Sequence, residues 1–162
     1  LTKLFAAARL RKLLSEPSMK GLVKFQSDNK LLLMAYNQVA MRKLGRIVAN
    51  HEKHPLEKVM SMYSGEFLSA LSRPPKYTSN INVLMHALGY FKNRLKQSEK
   101  AFFLDSLEEY RAGRIPIGSV IYMVRAWIMR FEEEYLLEQN YFQPYPKELV
   151  EVRDSGKGRD LK

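Results

Sequence analysis

The sequence predicts an all-α fold, a single compact domain of about seven or eight helices. Three observations carry this. Apolar residues recur at spacings of three and four along nearly the whole chain, no run alternates apolar and polar residues as a half-buried strand does, and no Asn-Gly turn joins two such runs. At 162 residues the chain can bury a core without disulfides or a structural metal. The domain is expected to cover residues 1–153, with a polar, frayed tail over 154–162.

The elements follow in order. Leu4 to Leu14 reads as a short basic helix that Pro17 ends. Ser18 is placed to cap a second helix running to about Tyr36, with Leu22, Phe25, Leu32 and Leu33 turned inward. A third runs from about Val39 to Asn50. His54-Pro55 breaks the chain, because a residue before proline is pushed out of the helical region. A fourth, Leu56 to Leu71, buries Val59, Met60, Tyr63, Phe67 and Leu71, and Arg73-Pro74-Pro75 is a stiff connector. Lys76 to Lys96 reads as a capped, mostly apolar helix, with Thr78 or Ser79 as its cap. Ser98 and Glu99 start the next, which Gly113 ends in a left-handed turn. Pro116 sits in the first turn of a helix burying Val120, Val124, Trp127 and Ile128. A last short helix over Tyr135 to Asn140 gives way to the extended strap YFQPYP.

Composition narrows the chemistry. With no cysteine, the chain itself cannot form disulfides, thiolate metal sites or a cysteine nucleophile, and no apolar run approaches the roughly 20 residues that span a bilayer. A cytoplasmic location is therefore expected. The net charge of +10 is uneven: residues 1–50 hold ten Lys and Arg against Glu16 and Asp28, whereas residues 101–162 hold nine against eleven acids. One surface facing a polyanion would produce that excess, and so would a basic protein with no such partner.

Two constellations stand out. On the helix from Lys76, Ile81, Leu84, Leu88, Phe91 and Leu95 form an apolar face, while Asn82, His86, Gly89 and Asn93 align on another with Tyr90 beside them. A mid-helix glycine costs about 1 kcal/mol relative to alanine, so something is expected to approach Gly89 closely. Asn82, His86, Gly89 and Tyr90 then line either a recognition groove or a second packed face with His86 as a core histidine. The other constellation is basic: Lys30, Arg42, Lys43 and Arg46 across two helices, and Lys92 and Arg94 near the end of the Lys76 helix, as candidate phosphate contacts if the two groups meet in space. His51 and His54 lack the spacing of a two-histidine zinc helix, and no metal site is expected. Glu132-Glu133-Glu134 reads as a solvated face, with Arg130 four residues before Glu134. No nucleophile elbow, phosphate loop or Ser-His-acid order is present, so no catalytic residue is assigned.

The segment NINVLMHALGYF resembles the signature TNVLMHxxGYF of the YbgA-like domain of unknown function. Further matches follow in register: Lys30, then Ala35 and Gln38, MRKLG at Met41 to Gly45, YRAGRIPI at Tyr110 to Ile117, and YLLEQNYFQPYP at Tyr135 to Pro146. The likeness covers about residues 4 to 150. Positions Gln26 and Tyr36 are commonly histidine in that family, a departure that weakens any acid–base or metal role the resemblance would imply for that face, whereas Lys30, Arg42, Asn82, His86, Gly89 and Tyr90 match. Members occur alone or fused behind a TudS-like iron–sulfur desulfidase domain acting on thiolated uracil or thiouridine. The resemblance thus implies a non-catalytic accessory domain that binds RNA, tRNA above all, and presents it to a desulfidase-type partner in cis or in trans. No cofactor is expected in this chain, an iron–sulfur cluster belonging only to that fused or partner domain. A start at Leu1 in place of Met is compatible with excision from such a fusion and equally with ordinary trimming. The competing expectation is a helical protein-interaction domain that touches no nucleic acid and docks through YFQPYP and the N-terminal helix.

Overall fold

The computed structural model describes residues 1–149. Its elements are α1 (Thr2–Ser15), α2 (Met19–Asp28), α3 (Lys30–Tyr36), α4 (Gln38–Ala49), α5 (Leu56–Ala70), α6 (Tyr77–Gly89), α7 (Gln97–Arg111), α8 (Ile117–Phe131) and α9 (Glu134–Leu137), with a 3-10 turn at Lys147–Leu149. No strand occurs among the described residues, and no helix there is long and apolar enough to cross a membrane. The expected tail over 154–162 lies outside them.

Local chemistry sets most of the ends. Ser18 Oγ accepts from the Gly21 N–H at 2.9 Å to start α2, and Asn37 Oδ1 accepts from the Ala40 N–H at 3.0 Å to start α4. Gly113 takes φ +73°, and the Arg114 N–H returns to the Glu109 carbonyl at 2.9 Å, which closes α7 as expected. Pro116 stands one residue before α8. Glu132 ends α8 in the left-handed region at φ 50°, a conformation that costs a side-chain-bearing residue about 1 kcal/mol.

Five expectations about the elements are corrected. The helix expected from Ser18 to Tyr36 breaks at Asn29 into α2 and α3. Asn29 is fully buried; its Nδ2 donates to the Phe25 carbonyl at 2.8 Å and its Oδ1 accepts from Asn140 at 3.0 Å. The break is stitched by the C-terminal segment. Gln139 Oε1 accepts from the Leu31 N–H at 3.1 Å, its Nε2 donates to the Ser27 carbonyl at 2.7 Å, and the Asn140 N–H reaches the Asp28 carbonyl at 2.9 Å. For the same reason the last helix stops at Leu137, since Gln139 and Asn140 are turned into that break.

The helix expected to reach Lys96 ends at Gly89, and Lys76, not Thr78 or Ser79, is its N-cap. Beyond Gly89 the chain tightens into turns that keep Phe91 and Leu95 buried. Finally, Arg130 does not pair with Glu134 along α8; it reaches Glu99 of α7 at 2.7 Å.

Two aromatic clusters anchor the packing. Phe25 of α2 meets Tyr63 and Phe67 of α5, with ring centroids 5.0 to 6.0 Å apart. The Tyr63 hydroxyl, which burial holds well above its usual pKa, donates to Gln26 Oε1 at 2.6 Å. In the other half, Trp127 packs on Phe91 and Phe103, and Phe131 on Phe91, at 5.1 to 5.9 Å. Asn80 of α6 links to the C-terminal strap by accepting from the Tyr141 hydroxyl at 3.1 Å. Truncating one of these buried rings costs about 3–5 kcal/mol.

Candidate nucleic-acid interface

α4 carries the basic face. Ala40 and Leu44 are buried, which turns Arg42, Lys43 and Arg46 outward, and the helix contains no acidic residue. Arg42 and Arg46 are four apart, hence one turn apart on the same face. Neither makes an ion pair among the described residues. Lys43 Nζ meets Glu66 of α5 at 2.5 Å, an exposed pair worth under about 1 kcal/mol that an incoming phosphate can displace.

At the C-terminal end of α4 this face opens on a cavity of about 410 Å³. Ile47, Val59 and Met62 give it apolar walls, and Lys43, Arg46, Asn50, His51, Glu52 and His54 give it a polar rim. Asn50 builds the rim: it ends α4 at φ 46°, and its side chain accepts from the His54 N–H at 2.9 Å and donates to the His54 carbonyl at 3.0 Å. His54 Nε2 contacts Glu52 at 2.7 Å. Apolar walls under a mixed rim, in which Lys43 and Arg46 outnumber Glu52, suit a ligand with a flat body and a phosphate. The two histidines and Asn50 were not foreseen as part of a site; the sequence signal was an asparagine placed to terminate α4 just before them. No group of three or more His, Asp or Glu that could hold a metal ion occurs among the described residues.

The remaining expected contacts are dispersed. Lys30 is exposed at the start of α3, and Lys92 is exposed in the turn after α6. Arg94 is a structural clamp. Its guanidinium donates to the Tyr90 carbonyl at 2.9 Å, to the Phe131 carbonyl at 3.3 Å and to Glu133 at 2.8 Å, and lies 4.9 Å above the Phe131 ring. These bonds hold the exits of α6 and α8 together and occupy the charge, so Arg94 is corrected from phosphate contact to tether. The two basic groups sit on different packing units, α4 against α5 and the Lys92–Arg94 turn against the end of α8.

The expected recognition groove is an open helix face. His86 is exposed, which removes the reading of a core histidine. A Cβ on Gly89 would meet nothing within 4 Å, so neither a neighbouring helix nor another part of the chain requires the glycine. Asn82 is half-buried beside them. Tyr90 leans away, stacked on Tyr135 with centroids 5.5 Å apart and planes within 17°. Burial raises the pKa of both phenols, with the Glu133 carboxylate adding to the effect at Tyr90. The buried asparagine of α6 is Asn80, not Asn82. YFQPYP is likewise no free docking strap, because Tyr141 and Phe142 are buried and Tyr145 packs on Phe5.

Comparison with known proteins places this arrangement. Residues 30–146 match the family described as "Protein of unknown function (DUF1722)". The chain belongs to that family. The DUF1722 match runs from α3 through the strap, and so contains the α4 face, its cavity and the α6 face, while α1 and α2 precede it. The chain is also similar to "Uncharacterized protein YbgA" of Escherichia coli (strain K12), with 28% identity over 158 residues that cover 96% of this chain and 93% of YbgA. The YbgA-like resemblance in the sequence thus holds at the level of family. No solved structure matches the chain significantly.

Proposed function

We propose that this DUF1722 chain is a non-catalytic RNA-binding domain that takes tRNA on the α4 face and presents it to a thiouracil or thiouridine desulfidase-type partner. The observation that carries the RNA reading is the pair Arg42 and Arg46, exposed one turn apart on a helix without acids and leading into the cavity rimmed by Lys43, Arg46 and His51. A phosphate backbone lies along such a row, and an unstacked base suits the apolar walls of Ile47, Val59 and Met62. Presentation to a desulfidase rests on the YbgA-like resemblance. Lys30 and Lys92 are exposed but do not line the cavity.

The test is tRNA binding followed against salt. Affinity should fall steeply as salt rises, and Arg42→Ala with Arg46→Ala should weaken binding and flatten the salt slope by about 0.7 to 0.9 for each phosphate no longer neutralised. Absence of binding at low salt sinks the reading. Nuclease-resistant co-purification with a desulfidase-type protein, in that case, would establish a protein-docking domain instead.

A further inference from the structure

Arg9 lies on the inward arc of α1, three residues after Ala6, four before Leu13 and next to the buried Leu10. Its Nη2 donates to the Pro144 carbonyl at 2.6 Å. Its Nη1 has no acceptor, the one buried side-chain nitrogen or oxygen among the described residues without a partner. Burial also pulls the guanidinium below its ordinary pKa. A buried cationic donor left unpaired is costly, and an acceptor oxygen brought to it is correspondingly favoured.

Cavities flank Arg9 on two sides, of about 650 and 470 Å³. The larger joins three segments, with Arg9 from α1, Arg125 from α8 and Lys147 from the 3-10 turn all in its wall, beside Asn140, Gln143 and Tyr145. We propose that this larger cavity binds a small, multiply charged anion, a phosphate ester or a polycarboxylate, whose oxygens accept from Arg9, Arg125 and Lys147.

Arg125 is already positioned for it. Its guanidinium rests 4.9 Å above the Tyr122 ring and Nη2 donates to Gln143 at 3.2 Å, which orients the fork and leaves other N–H groups available. Glu138 and Glu148 also line the cavity, but the Glu138 carboxylate is engaged by Lys24, so the wall remains net positive. The volume falls within the range of small-molecule sites. The cavity shares no residue with the one beside α4, and anion binding here stands apart from the RNA reading.

Inorganic pyrophosphate and citrate, titrated separately into the full chain at fixed ionic strength, test the site by calorimetry. At least one should bind saturably, and the tighter of the two assigns the class. Arg9→Ala also removes the bond to Pro144, so Arg125→Gln and Lys147→Gln are the deciding variants. Each should weaken binding about tenfold while the melting temperature without anion stays unchanged, and the Arg42→Ala, Arg46→Ala chain should bind as the parent does. No saturable binding of either anion, or binding undiminished in both deciding variants, overturns the assignment.

Discussion

Single side chains decide where this helical chain bends. Gln139 is the clearest case, a buried amide whose two ends satisfy the Leu31 N–H and the Ser27 carbonyl across the break at Asn29. Gln139→Ala should destabilise the protein by about 2–3 kcal/mol, because it strands a buried donor and opens a hole beside Asn29; urea denaturation measures this, and a loss below about 0.5 kcal/mol would refute the stitch. Arg94 acts in the same way at the other end, taking up carbonyls that the last turns of α6 and α8 leave unpaired. Sequence reading assigned it to phosphate because a cation near a helix C-terminus looks alike in either role. Only the neighbours Glu133 and Phe131 distinguish them.

Among elements, the α7–α8 pair shows how charge and capping combine. Glu99 accepts from the Lys96 N–H at 2.7 Å at the head of α7 and pairs with Arg130 of α8, while Glu109 grips Arg114 at 2.6 and 2.7 Å beyond the tail. Those contacts, the Lys96 N–H first at Glu99 and the Arg114 guanidinium at Glu109, hold both carboxyls below the ordinary value of 4.5. For depressed pKa values the sign is fixed: the stabilisation is complete above the unfolded-chain value and is lost as pH falls through the lower folded value. Stability followed by denaturant titration should therefore decline on acidification below about pH 5, and Glu99→Gln should start lower and show a shallower decline. An acid limb identical in the variant would remove Glu99 from this role. Both carboxylates are half-buried and still reach solvent, so the effect is a change of slope and not a collapse.

For the whole molecule, the C-terminal segment closes the fold. Gln139 and Asn140 enter the α2–α3 break, Tyr141 reaches Asn80 of α6, and Pro144 takes the Arg9 bond from α1, so one short stretch ties down elements from the beginning and middle of the chain. A chain ending at Glu138 should lose its cooperative thermal transition, given that a domain has only about 5–15 kcal/mol in hand; a transition retained near the parent temperature would show that α1 to α9 suffice without the segment after them. Much of this architecture was legible. Spacings of three and four gave the helical class, and Ser18, His54-Pro55, Gly113 and Pro116 punctuated it, because caps and breakers act through bonds within a few residues. The basic bias and the exposed row Arg42 and Arg46 were legible for the same reason, helical geometry being local. The break at Asn29, the exposure of His86, the empty space over Gly89 and the unpaired guanidinium of Arg9 were not. Each depends on what lies across the fold, more than a hundred residues away for Asn29 and Arg9, and the hydrogen-bond partner or vacancy that settles a polar side chain's role exists only once those segments have met.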